Sequence, residues 1–152
     1  MSEPVADIEV HASRLKGIRV PRELVPLAID EFPVLFVAAA CAEGETIVEG
    51  AEELRVKESD RIASMEAGLK ALGIPCEARH DGMVLAGCVA GTRPFGTGTV
   101  DSRGDHRIAM AFAVASLAAT GPVLIDDVAN VATSFPSFAA LAGAIGLDVA
   151  AV

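Results

Sequence analysis

Two alanine-rich apolar runs, Phe32 to Ala42 and Ile108 to Ala119, constrain this chain more than any other feature. Each closes in a small turn, Ala42-Glu43-Gly44 or Ala119-Thr120-Gly121, and passes into a strand-like segment, Thr46-Ile47-Val48-Glu49 or Val123-Leu124-Ile125-Asp126. The turn glycines lie 77 residues apart. Self-similarity at a fixed offset marks one supersecondary unit used more than once. Neither run reaches the roughly 20 apolar residues needed to cross a bilayer. Both are therefore expected as buried helices, with no part to play in a membrane.

After a loop, each copy continues into an amphipathic helix. The first, Ser59 to Leu72, places Ile62, Met65, Leu69 and Leu72 on one face; the second, Ser134 to Ile145, does the same with Phe138, Leu141 and Ile145. The offset here falls to 73, so the first copy carries about four extra residues in a loop, the kind of place that carries function. Ile8-Glu9-Val10-His11 and Gly98-Thr99-Val100-Asp101 alternate like strands ahead of each first helix. Cys76 to Arg79 and Met83 to Ala86 predict a hairpin across His80-Asp81-Gly82, and Leu147 to Val152 a closing strand. The expected fold is α/β (α+β): two β-α-β-α-β units, about 1–90 and 91–152, joined near Gly87 to Gly98. Units with one apolar face need further neighbours or a cap, so the chain is expected to belong to a larger assembly.

At 152 residues there is length for one domain with a sizeable core. With no Trp, no Tyr and six Phe, that core is aliphatic and offers no platform for stacking bases. Acidic residues outnumber basic ones 21 to 12, for a net charge of -9, which argues against nucleic acid as a partner. Cys41, Cys76 and Cys88 are odd in number and lack CxxC spacing, so neither a disulfide framework nor a zinc site is expected. They read as reduced thiols of a cytoplasmic protein. Met1-Ser2-Glu3-Pro4 has no basic, apolar leader character.

Charge collects at the expected helix starts: Asp30-Glu31, then Arg55-Val56-Lys57-Glu58-Ser59-Asp60-Arg61, Arg103-Gly104-Asp105-His106-Arg107, and Thr133-Ser134. Unpaired N–H groups and a partial positive charge make a helix N-terminus a site for phosphate or carboxylate, and a nearby Arg or Lys strengthens it. Repeated units point equivalent helices the same way, so several starts can meet on one face and attract a multiply anionic small molecule. The blander account is that Asp30, Ser59, Asp60, Asp105, Thr133 and Ser134 are N-caps, that Lys57, Glu58 and Arg61 form a solvated ion-paired face, and that His11, His80 and His106 are surface or cap-region residues. Recurrence of one site type in both copies, with Arg61 on one helix and Arg107 on another, favours an anion site.

Four ordered strings go further. Ile29-Asp30-Glu31-Phe32-Pro33, Leu54-Arg55-Val56-Lys57-Glu58-Ser59-Asp60-Arg61-Ile62, Asp105-His106-Arg107-Ile108-Ala109-Met110 and Ser134-Phe135-Pro136 resemble the 5-enolpyruvylshikimate-3-phosphate synthases, or 3-phosphoshikimate 1-carboxyvinyltransferases. The resemblance runs over essentially the whole chain and is to the C-terminal part of a longer, two-domain enzyme. It implies βαβαββ units, two of the three in the second domain. The implied reaction moves the enolpyruvyl group of phosphoenolpyruvate to the 5-hydroxyl of shikimate 3-phosphate, releasing phosphate through a tetrahedral intermediate, on the route to chorismate and the aromatic amino acids.

No metal or organic cofactor is implied. By resemblance, Asp30 accepts the proton of the 5-hydroxyl and Lys57 contacts the shikimate phosphate and that hydroxyl. Glu58 moves protons at the methylene carbon of phosphoenolpyruvate, while Arg61 and Arg107 hold phosphoenolpyruvate with His106 beside them. Thr133 stands where some members carry a lysine. The implied partner is the N-terminal domain, which in the family supplies a Lys-Ser pair, a glycine-containing phosphate loop and another arginine, so the chain alone is expected to be inactive. Two alternatives are a relative of the UDP-N-acetylglucosamine enolpyruvyltransferases, whose loop cysteine no cysteine here matches, and a non-catalytic anion-binding domain.

Overall fold

The structure, a computed structural model, describes residues 5–150. Helix α1, Phe32–Ala40, follows two 3-10 turns, Arg22–Leu24 and Pro26–Glu31, and carries Pro33 in its first turn, where a missing N–H costs nothing. It buries Phe32, Phe36, Val37 and Ala40. Gly44, at φ +86°, turns the chain into strand β1, Glu45–Val48. Helix α2, Arg61–Ala71, is capped by Asp60, whose carboxylate accepts the Ala63 N–H at 2.9 Å. Strands β2, Cys76–Arg79, and β3, Gly82–Ala86, make the expected hairpin. The sheet runs β1-β3-β2 with antiparallel pairs throughout, Val48 opposite Met83 and Cys76 opposite Leu85.

The second part opens with β4, Gly98–Asp101, which lies parallel to β5, Val123–Asp126. Between them runs α3, His106–Ala115, extended by a 3-10 turn to Ala118; α4, Ala129–Ser134, and α5, Phe138–Ala144, follow. Helix α3 packs on α1, and α2 packs on β2, β4 and α3. One core joins both parts, with Phe32, Leu54, Ile62, Leu69, Leu85 and Phe112 among its buried residues. Gly68 makes the α2–α3 approach possible, because a Cβ there would stand 2.3 Å from the Phe112 ring. That closeness brings the two helix starts together. No helix among the described residues is long and apolar enough to cross a membrane.

Several expectations need correction. Ile8 to His11 is not a strand: Ile8 and Val10 are exposed, and the partners of the β1 region are instead Lys16, bridged to Glu43, and Arg19, bridged to Ile47. Alternation names a strand's face, but without a sheet to join it forms none. The helix expected from Ser134 to Ile145 is divided, since Pro136 cannot continue α4 and drives the preceding Phe135 out of the helical region, to φ -143° and ψ 75°. Leu141 and Ile145 are exposed. Residues 147–150 form no strand, and the remainder of that expected element, like Met1–Pro4, lies outside the described residues. Asp60 and Asp105 cap as expected, but Asp30 sits in a 3-10 turn, Ser59 precedes the cap, and Thr133 and Ser134 end α4.

Candidate functional site

Three chain segments meet where α1, α2 and α3 begin, and Arg61 lies at their centre. Its side chain is 1% exposed. Nε donates to Asp105 Oδ2 at 2.8 Å, Nη1 to Asp30 Oδ1 at 3.0 Å, and Nη2 both to Glu58 and, at 3.4 Å, to Asp105 Oδ1. Asp105 is fully enclosed, and it also accepts the Ser59 hydroxyl at 3.1 Å and the Arg107 N–H at 2.9 Å. An enclosed guanidinium tolerates burial only with such partners. Arg61 therefore ties α2 to α3 and to the turn before α1.

Around this centre the groups are more open. Lys57 Nζ lies 3.4 Å from Asp30 Oδ1 and 2.5 Å from Glu53 Oε1. Arg107 Nη1 donates to the Asp30 carbonyl at 2.8 Å and to Glu31 Oε1 at 3.0 Å, with Nη2 at 4.0 Å from Asp30 Oδ2. Burial is the largest single influence on the Asp30 carboxyl and pushes it up. The Arg61 hydrogen bond and the charges of Lys57 and Arg107 together outweigh it, leaving Asp30 below its ordinary value. Asp105 behaves alike, burial being overcome by Arg61 and the N–H of Arg107. Burial also opposes the charge on Arg61, and Asp105 and Glu58 more than restore it. The Glu53 hydrogen bond holds Lys57 above its ordinary value.

A cavity of about 400 Å³ opens beside these groups. Asp30, Glu31, His106 and Arg107 form its polar wall, and Val34, Met110, Val114, Phe135 and Phe138 its apolar one. Of the residues expected to act, Asp30, His106 and Arg107 thus line the cavity, while Lys57, Glu58 and Arg61 stand behind Asp30. Thr133 is not on the lining; its hydroxyl donates back to the Asn130 carbonyl at 2.9 Å. Asp105 and Ser59, legible in the sequence only as caps, grip Arg61 in the fold. Burial pushes the Cys76 thiol up to about 11 and raises Cys41 as well, so neither is a ready nucleophile.

Basic side chains and carboxylates thus gather at helix starts beside a half-polar cavity on a mixed α/β scaffold, a donor set with the chemistry to receive a small anion. The chain belongs to the EPSP synthase family: the family described as EPSP synthase (3-phosphoshikimate 1-carboxyvinyltransferase) matches residues 1–141. It is 59% identical over 147 residues to the 3-phosphoshikimate 1-carboxyvinyltransferase of Methylococcus capsulatus, which covers 97% of this chain and 32% of that protein. With the Acidithiobacillus ferrooxidans protein of the same name the identity is 63% over 145 residues, 95% of this chain and 32% of the relative. The solved EPSP synthase of Acinetobacter baumannii superposes with a TM-score of 0.86 at 53% identity, covering 88% of this chain and 31% of that one. The chain thus spans about a third of the length of the relatives it matches.

Proposed function

We propose that this chain is the C-terminal part of a 3-phosphoshikimate 1-carboxyvinyltransferase and carries one side of its active site. The observation that carries the reading is the ionised Asp30 carboxylate, set at the cavity wall among Arg61, Lys57 and Arg107. A carboxylate so placed accepts a proton from a substrate hydroxyl while the cations hold the anionic groups on either side. In the addition step the 5-hydroxyl oxygen of shikimate 3-phosphate bonds to C2 of phosphoenolpyruvate as its proton passes to Asp30. Glu58 delivers a proton to the methylene carbon, giving the tetrahedral intermediate. In the elimination step the C2–O bond to phosphate breaks, the departing phosphate takes up the proton held by Asp30, and Glu58 takes a proton back from the methyl group.

Arg107 and His106, both on the cavity, face phosphoenolpyruvate, and Lys57 faces the shikimate phosphate. Arg61 Nη1 donates one of its two N–H groups to Asp30, leaving the other for the carboxylate of phosphoenolpyruvate while Asp30, Glu58 and Asp105 keep their places. We read the scaffold as about two of three βαβαββ-type units, about 1–90 and 91–152, the second without its last two strands among the described residues. Supporting this, Arg19 bridges in parallel to Ile47 of β1 across α1, as β4 runs parallel to β5 across α3. The partner is the remaining length of the enzyme, which closes the cavity and excludes water. Half-buried free thiols suit a cytoplasmic setting.

The test mixes this chain with the separately produced remainder of the enzyme and follows phosphate release from phosphoenolpyruvate. Recovery by the pair, with no turnover by either part, is expected. A well-folded pair that leaves both substrates unchanged defeats the reading.

A further inference from the structure

In the chemistry above Asp105 has no part beyond capping α3, yet its bonding exceeds what a cap needs. A cap requires one acceptor for one N–H, here that of Arg107 at 2.9 Å. Asp105 also accepts from Arg61 Nε at 2.8 Å and Nη2 at 3.4 Å, and from the Ser59 hydroxyl at 3.1 Å. These donors come from α2 and the loop before it, 44 and 46 residues away in the chain. A guanidinium is planar and rigid, so fixing its Nε–Nη2 edge fixes the direction of Nη1. Nη1 meets Asp30 Oδ1 at 3.0 Å, and Nη2 meets Glu58. Asp105 itself is fully enclosed and absent from the cavity wall.

We propose that Asp105, steadied by Ser59, is a positioning residue: it fixes the plane of Arg61, whose outer nitrogens then hold Asp30 and Glu58 in place for the transfer reaction. The inference rests on the transferase reading for its consequence and on geometry alone for its mechanism. The loss of a residue that merely capped α3 would leave the Asp30 titration unmoved or shift it downward.

The sign of one titration separates the two. The charged groups facing Asp30 are Arg61 and Lys57 from the α2 side and Arg107 from α3, with Glu31, Glu53, Glu58 and Asp105 sharing those cations. In Asp105→Asn the amide oxygen can still cap α3, but a negative charge near Asp30 is gone. Charge alone would therefore lower the Asp30 pKa. If Arg61 swings away once its inner edge is released, Asp30 loses its hydrogen bond and its titration midpoint rises. A rise, read by carbon-detected NMR of the Asp30 carboxyl in the full 152-residue chain, is expected; a fall or no change overturns the proposal. Should Asp105→Asn fail to fold, Ser59→Ala keeps every charge and is expected to raise the same midpoint by less, with no change again overturning it. In the chain paired with the rest of the enzyme, Asp105→Asn is expected to lower kcat by about tenfold to 100-fold, the scale of a small misplacement of reacting groups, and to raise KM for phosphoenolpyruvate as Arg61 leaves that contact as well. Unchanged kcat beside a raised midpoint would also overturn it. If the unmutated pair shows no transfer, the proposed function fails while the titration still decides what Asp105 does.

Discussion

Helices α2 and α5 carry apolar stripes of similar spacing and end in opposite surroundings. On α2, Ile62, Met65, Leu69 and Leu72 are all enclosed, by β2 and β4 and by α3 across Gly68. On and just beyond α5, Leu141 is 53% and Ile145 85% exposed, and Ala142 is the buried residue of the helix. Periodicity states which face of a helix is apolar; it does not supply what covers that face. The site spans the same divide. Its Arg61–Asp105 floor rises from the enclosed α2 and α3, whereas Phe135 and Phe138 of its apolar wall belong to the open end.

The largest effect is expected at Arg61, on the enclosed side. In Arg61→Met the enclosed Asp105 loses its counter-charge, and breaking a buried pair from one side costs about 3–5 kcal/mol. A denaturant midpoint should fall accordingly, and adding Asp105→Asn should recover part of the loss. Two losses that simply add would show that the pair is not coupled and that the floor is not one unit.

Leu69→Ala comes next. A fully enclosed leucine cut to alanine loses about 2–5 kcal/mol, depending on how far the cavity collapses. A loss below about 1 kcal/mol would mean that α2 is no better held than α5.

Much of α2 was legible because its stripe, its Asp60 cap and the hairpin after it are local signals, each read within a few residues. The break at Pro136 was legible too; the run Phe138, Leu141, Ile145 masked it by keeping helical spacing on its far side. Asp30, Lys57, Glu58, Arg107 and His106 were reached through the family's strings. What no local pattern carries is the partner across the fold: Arg61 meets Asp30 and Asp105, 31 and 44 residues away, only after α1, α2 and α3 pack. An arginine in a run of charges reads as solvated until packing encloses it.

Asp105 and Asp30 titrate below their ordinary values in the fold, so the stability they contribute is complete above the unfolded carboxylate value of about 3.9 and is lost as pH falls through their folded values. Stability measured by urea between pH 7 and 3 should stay level and then decline at the acid end. Asp105→Asn should flatten that decline while lowering the plateau. An unflattened decline would place the acid-sensitive carboxylate elsewhere.

The smallest effect is expected at Leu141, and it tests the contrast most directly. A side chain already 53% exposed gives up little further contact when truncated, so Leu141→Ala should change the stability of the chain alone by no more than about 0.5 kcal/mol. The same stripe on α2 would lose several times as much, though the two positions are alike in sequence. If the remainder of the enzyme covers α5, the Leu141→Ala chain should fold normally and yet pair less tightly with that remainder, a difference that titration calorimetry reads without any turnover. A cost of 2 kcal/mol or more in the chain alone would show that α5 is packed in solution, and the division of the site into an enclosed floor and an open wall would not stand.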